Sequence, residues 1–269
     1  MSQLKSPLRY PGGKSKAIDK IMPHIPLHIK EYREPFIGGG SVCLAVKNLF
    51  ETNIKSYWIN DLNFDLYCFW LYAKNDNNLL ADKIVEIKRK YTDGRELFQY
   101  LTREDIKWSE FDRAVRFFVL NRITFSGTVD SGGYSQKAFE GRFTDSSIDR
   151  LRNLYLHLSS IHITNTDYTE LLVPAGEEVF IFLDPPYFSA TKSKLYGRRG
   201  NLHTTFDHQR FADNMRQCQH KWLITYDDSP EIRTLFNFAN ITPWTLQYGM
   251  NNYKQKSAAI GQELLIKNY

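Results

Sequence analysis

The sequence predicts an α/β fold: a largely parallel sheet with a mostly helical block inserted into it. Three observations carry this reading. Short apolar runs alternate with stretches of helical spacing, as in successive strand–helix units. The early runs end in glycine or a carboxylate, at Gly38, Asp61, Asp167, Asp184 and Asp227. Ligands of open parallel sheets bind beyond the carboxyl ends of the strands, so these residues converge on one crevice. Residues 64–158 break the alternation and keep helical spacing alone.

The first strand is expected over residues 32–37, running into Glu34-Pro-Phe-Ile-Gly-Gly-Gly-Ser41 and a helix. The second, over residues 56–60, reaches Asp61 and a helical run. Within the block, Leu80, Ile84, Ile87 and Tyr91 share a helix face. Ser109 and Asp112 form a capping box in which Asp replaces the usual Glu or Gln. That box opens a helix carrying Phe111, Val115, Phe118 and Val119. A loop of small residues over 126–135 holds Gly127, Gly132 and Gly133. A third helix is expected from Asp145, with Ile148, Leu151, Leu154 and Leu158 on its apolar side. Strands resume over 161–165, 179–183 and 222–226, and the tail adds 245–248 and 263–267. The expected division is residues 1–63 with 159–269 as one domain and 64–158 as the insert.

Composition excludes several classes. With 42% apolar and 24% charged residues among 269, disorder is not the main state. No run approaches the ~18 consecutive apolar residues of a membrane span. Residues 1–16 lack the apolar stretch of a secretory signal. Cys43, Cys68 and Cys218 are far apart and lack CxxC spacing, so neither a disulfide framework nor a metal site is expected. A cytoplasmic location follows as the expectation. The formal charge of +5 is a faint hint of a polyanionic partner. The 14% aromatic content suits stacking on bases and filling a core equally well.

Four segments offer chemistry. The glycines at 38–40 allow a tight turn and close approach of a ligand, with a helix N-terminus beyond. A strand-to-helix turn with no ligand is the plain alternative. Asp61 is placed to accept hydrogen bonds from a ribose diol, or to cap the following helix. In Val179-Phe-Ile-Phe-Leu-Asp-Pro-Pro-Tyr187 an apolar strand runs into a loop stiffened by two prolines. The loop holds the Asp184 carboxylate, the Pro185 carbonyl and the Tyr187 ring in fixed relation. Methylation of an exocyclic amine needs such a set. Two acceptors on the N–H groups return electron density to a conjugated nitrogen, and a ring holds the base in plane. A Pro-Pro turn with an incidental acid is the alternative. Lastly, residues 188–206 carry Lys192, Lys194, Arg198, Arg199 and His203 and no acid, which suits phosphates or a solvated loop.

Two other readings fall away. Gly12-Gly-Lys-Ser15 is not a phosphate-binding P-loop, because Leu8 stands where that loop needs glycine and no strand precedes it. The cysteines lack a Pro-Cys context, which argues against a thiolate mechanism on cytosine C5.

Together these segments resemble the Dam-type (D12 class) adenine-specific DNA methyltransferases of the α-group, over nearly the whole chain. Arg9-Tyr-Pro-Gly-Gly-Lys14 is similar to the family's first motif, residues 34–41 to its FxGxG motif, and Asp184-Pro-Pro-Tyr187 to its catalytic motif. The resemblance implies a Rossmann-like S-adenosylmethionine (SAM) dependent methyltransferase fold, a mixed seven-stranded sheet flanked by helices, with the insert recognising DNA. It implies SAM contacts at Tyr10, Lys14, Phe36, Gly38, Gly40, Asp61, Asp167 and Asp184, and catalysis by Asp184, Pro185 and Tyr187. Residues 120–127 are similar to the Asn-Arg loop before the family's recognition hairpin, which implies DNA contacts at Asn121 and Arg122. The segment 128–139 departs from the pattern of enzymes that methylate GATC. The implied activity is methyl transfer to adenine N6 in duplex DNA by a monomer, without metal or membrane. A restriction endonuclease acting separately is a candidate partner, and DNA binding would associate the protein with the nucleoid. The same motif also suits N4 of cytosine in DNA or adenine in RNA, and a DNA-binding regulator without catalysis is a third class.

Overall fold

The computed structural model describes residues 4–50, 53–129, 132–189, 205–247 and 260–269. Among the described residues, seven strands form one sheet: β1 (Glu31–Glu34), β2 (Ser56–Asn60), β3 (Ile161–Thr164), β4 (Val179–Leu183), β5 (Lys221–Asp227), β6 (Asn240–Gln247) and β7 (Ile260–Lys267). Their order is β3-β2-β1-β4-β5-β7-β6. The first five run parallel, and β7 is antiparallel to both β5 and β6. This is the mixed seven-stranded sheet that the resemblance implies. The order reverses between β1 and β4, so a crevice opens beyond their carboxyl ends. All five residues of β4 are buried, as a central parallel strand covered on both faces requires.

Three boundaries differ from expectation for identifiable reasons. β1 stops at Glu34, because Pro35 has no amide for the ladder, and Ile37 N–H turns to the Asn60 carbonyl at 2.9 Å. β6 starts at Asn240 despite Pro243, which is tolerated on the edge strand of the sheet. The expected helix from Asp145 breaks into Asp145–Arg152 and Tyr155–Leu158.

The helices are α1 (Ile18–Ile21), α2 (Ser41–Leu49), α3 (Phe64–Asn75), α4 (Asn77–Lys90), α5 (Gly94–Leu101), α6 (Glu110–Ile123), α7 (Gln136–Arg142), α8 (Asp145–Arg152), α9 (Tyr155–Leu158), α10 (His208–Gln217) and α11 (Pro230–Leu235). Ser109 caps α6 through the Asp112 amide at 3.1 Å, as the capping box predicts. Helix α6 runs through the middle of the helical block, with all ten residues from Ala114 to Ile123 buried. Phe69 of α3 stacks on Phe118 of α6 at 6.0 Å between ring centroids. The block shares its core with the sheet. One apolar cluster runs from Tyr32, Ile59 and Phe180 through Phe69 to Phe117 and Leu151. The expected boundary before Phe64 falls at the start of α3, which packs on α6 of the block and on β3 of the sheet.

Candidate active site

The glycine turn connects β1 to α2. Gly38 and Gly40 have φ of +47° and +70°, where side-chain-bearing residues are strained. A Cβ on Gly40 would stand 2.6 Å from the Trp70 ring, and one on Gly38 would stand 3.0 Å from the Tyr10 ring. The turn is thus packed between α3 and the N-terminal loop. Trp70 Nε1–H donates to the Gly38 carbonyl at 3.1 Å, fixing the turn from behind.

Asp61, just past β2, accepts from Gly38 N–H at 3.0 Å with one oxygen and from Asn63 N–H at 3.0 Å with the other. It does not cap α3; Asn63 does, accepting from the amides of Asp65 and Leu66. Burial pushes the Asp61 carboxyl up to about 6, against the pull of the two amides. Glu34, at the end of β1, is buried and accepts from the Tyr32 hydroxyl at 2.5 Å. Burial drives its carboxyl well above the usual range; Asp184 and Asp61 nearby add to that.

The Asp184-Pro185-Pro186-Tyr187 loop leaves β4 and is held from three sides. Lys14 Nζ reaches both Asp184 oxygens, at 2.7 and 2.8 Å. The Thr225 hydroxyl donates to Asp184 Oδ1 at 2.7 Å. Tyr187 stacks on Tyr226 at 6.0 Å, lies 4.9 Å below Lys14 Nζ, and donates its hydroxyl to Glu263 Oε2 at 2.9 Å. Beyond it, Asp227 accepts from the Phe188 and Ser189 amides at 2.8 and 2.9 Å. Among the described residues, no donor reaches the Pro185 carbonyl.

A cavity of about 530 Å³ joins these parts, within the usual size of a small-molecule site. The cofactor and catalytic positions expected from the sequence all line it: Tyr10, Lys14, Phe36, Gly38, Gly40, Asp61, Asp167, Asp184, Pro185 and Tyr187. Sequence reasoning missed the aromatic wall. Phe36 stacks on Tyr168 at 5.5 Å, and Phe206 meets Phe36 edge-on at 5.8 Å. It also missed Arg210, whose guanidinium reaches both Asp167 oxygens at 3.2 Å. Burial pushes Asp167 up, but hydrogen bonds from Thr169 and Arg210 outweigh it and hold the carboxyl below its usual range. Tyr168 follows β3 while Phe206 and Arg210 sit around the start of α10, far later in the chain, so no local pattern announces them together.

Of the two DNA contacts expected in the insert, the surroundings of Asn121 speak against one and those of Arg122 do not. Asn121 is fully buried, and its amide is engaged by Arg9 N–H at 2.9 Å, the Arg9 carbonyl at 2.8 Å and the Gly127 carbonyl at 3.1 Å. It ties the N-terminal loop to α6 and has no group left to face DNA. Arg122 is 6% exposed, lies over the Phe118 ring, and has a buried Nε without a hydrogen-bond partner. Burial, with Arg150, Arg9 and Arg142 close by, pushes its guanidinium down to about 9. Among the described residues, none of these four arginines has an acidic partner. Lys192, Lys194, Arg198, Arg199 and His203 lie outside the described residues.

The glycine turn therefore shares one cavity, at the switch point of this sheet, with the Asp184 carboxylate, the Pro185 carbonyl and the Tyr187 ring. That combination suits a methyltransferase acting on an amino group. The model of the D12 class N6 adenine-specific DNA methyltransferase family matches residues 10–250, and the chain belongs to that family. Among its relatives is the type II methyltransferase M.MjaIII of Methanocaldococcus jannaschii, 26% identical, with 72% of this chain and 73% of that one covered. The type II methyltransferase M1.LlaDCHI of Lactococcus lactis subsp. cremoris is 24% identical over 97% of this chain and 94% of its own. The DNA adenine methylase of Haemophilus influenzae is 23% identical, covering 96% and 92%.

Proposed function

We propose that this DNA adenine methyltransferase uses SAM to methylate N6 of an adenine turned out of duplex DNA. One observation carries the reading: the Asp184–Tyr187 clamp and the glycine turn open into the same cavity. The residues fit SAM. The glycine turn lines the cavity, Asp61 has acceptor capacity for two ribose hydroxyls, and Phe36, Tyr168 and Phe206 offer an aromatic wall to an adenine ring. When bound, SAM supplies a methyl group on a positively charged sulfur.

The chain's own residues do the rest. The Asp184 carboxylate and the Pro185 carbonyl accept the two N–H groups of the target amine, which raises electron density on its nitrogen. Tyr187 stacks on the base and keeps it in line for attack. The proton displaced from nitrogen leaves through the hydrogen bond to Asp184. Lys14 occupies the Asp184 carboxylate until the amine arrives, and holds the carboxylate in place.

The helical block, residues 64–158, is the part that meets DNA. Arg9, Arg122, Arg142 and Arg150 cluster without acids, and such a cluster is satisfied by phosphates. The names of the type II relatives suggest a restriction endonuclease acting separately on the same sequence. DNA binding places the protein at the nucleoid.

The test is transfer of tritiated methyl from SAM to unmodified plasmid DNA, followed by digestion to nucleosides and mass analysis. N6-methyladenine is expected. N4-methylcytosine, or label in RNA alone, overturns the substrate; no transfer by folded protein overturns the activity.

A further inference from the structure

The antiparallel strand β7 enters the site through one side chain. Glu263 is fully buried, yet it does not line the cavity. It pairs in register with Asp227 of β5, so both carboxylates project from the same face of the sheet. Each is directed to a different part of the catalytic loop. Glu263 accepts the Tyr187 hydroxyl at 2.9 Å, and Asp227 accepts the amides of Phe188 and Ser189 at 2.8 and 2.9 Å. Two residues before Asp227, and therefore on that same face, Thr225 donates to Asp184. The C-terminal edge of the sheet thus grips the loop at its acid, its ring and its following backbone.

We propose that Glu263 is a positioning residue for the methyl transfer, acting through the Tyr187 hydroxyl. The inference rests on the proposed role of Tyr187 as the ring on which the target base stacks. A phenol ring on a loop rotates about two side-chain bonds, and proline stiffens only the backbone behind it. Contact with Tyr226 limits the ring's tilt, and the hydrogen bond at the far end of the ring limits its sweep. A buried carboxylate suits this task. It is anchored by strand pairing on both sides, to Asp227 and to Trp244, and it presents a strong acceptor at one fixed point. Position governs the rate here, because a small misplacement of a reacting group is costly.

The variants are Glu263→Gln, which keeps an acceptor oxygen, and Glu263→Leu, which removes it at similar volume. Full-length protein is assayed with tritiated SAM and unmodified plasmid DNA, and SAM binding is measured separately by calorimetry. Glu263→Leu is expected to lower kcat by about tenfold or more, while its Kd for SAM stays within about twofold. Glu263→Gln is expected to recover most of the rate. Wild-type kcat in Glu263→Leu overturns the inference. So does a loss in Glu263→Gln as deep as in Glu263→Leu, or an equal loss of SAM binding, which marks a merely structural role.

Should Glu263→Leu fail to fold, Tyr187→Phe deletes the same hydrogen bond and leaves β7 intact. Tyr187→Phe is then expected to lower kcat by about tenfold with its Kd for SAM within about twofold, and wild-type kcat in Tyr187→Phe overturns the inference. A wild-type protein that transfers no methyl refutes the function itself. Active wild type with indifferent Glu263 variants refutes only this role.

Discussion

Lys14 Nζ is bonded to both carboxylate oxygens of Asp184, although 170 residues separate the two in the chain. Lys14 is almost wholly buried, and its ammonium also donates to the Gly12 carbonyl at 3.0 Å. The N-terminal loop therefore closes directly on the catalytic motif. Asp184→Ala is expected to lower kcat by about 10²-fold or more, as loss of a preorganised polar group does. If Lys14 works through Asp184, the double variant Lys14→Met with Asp184→Ala is no slower than Asp184→Ala alone. Additive losses in kcat assign Lys14 a separate task.

Asp61 gives the cofactor site a pH dependence. Its carboxyl is raised to about 6 by burial, so the folded protein holds that proton more tightly than the unfolded chain does. The free protein then loses stability as pH rises from roughly 4 to about 6, where the carboxyl ionises. The ionised form is the better double acceptor, so SAM affinity should fall as pH drops through about 6. Calorimetric titrations between pH 5 and 8 check this, and Asp61→Asn should bind SAM weakly with a flat pH profile.

Gly40→Ala combines two costs: a left-handed φ of +70° and a Cβ 2.6 Å from the Trp70 ring. The conformational cost is about 1–2 kcal/mol and overpacking adds about 1–3 kcal/mol. Each kcal/mol lowers Tm by about 2–4 °C in a domain of this size. Thermal denaturation should show a lower Tm, and SAM binding should weaken because the turn must move. An unchanged Tm would mean that Trp70 shifts freely.

The arginine cluster is tested by salt. Arg122→Gln should weaken binding to plasmid DNA at low salt. The slope of log K against log salt should also become shallower, by about one for each phosphate that the variant no longer neutralises. Asn121→Ala should act differently. It releases the N-terminal loop from α6, so SAM turnover suffers along with DNA binding. Filter binding across a salt series separates the two. An unchanged slope in Arg122→Gln removes the phosphate assignment.

How much of this was legible in the residues depends on the distance over which each signal acts. The glycine turn, Asp61 and Asp184–Tyr187 are local signals, because each follows a strand whose apolar run is unmistakable. Their convergence follows from the rule that parallel strands deliver their carboxyl ends to one crevice. Of the aromatic wall only Phe36 was legible, through its motif; Tyr168 and Phe206 are ordinary core residues until the chain brings them within 6 Å of it. Asn121 misled for a different reason. It was expected at DNA through the family likeness alone, but the part of α6 that carries it is buried and its amide serves the backbone of Arg9. Arg122 carried the opposite lesson: its lack of any acid became visible only once its neighbours were known. Glu263 looked like one polar position in a tail strand, and only strand pairing shows it beside the catalytic loop.

The place of β7 between β5 and β6 has a consequence for synthesis. Tyr187 leaves the ribosome 76 residues ahead of Glu263, and β6 emerges before the neighbour that connects it to the rest of the sheet. The parallel strands and the glycine turn precede β7 in the chain, and so do Tyr226 and Lys14, which flank the Tyr187 ring; only the hydrogen bond at its far end waits for the later strand. The Tyr187 hydroxyl therefore gains its Glu263 partner only after synthesis has reached β7.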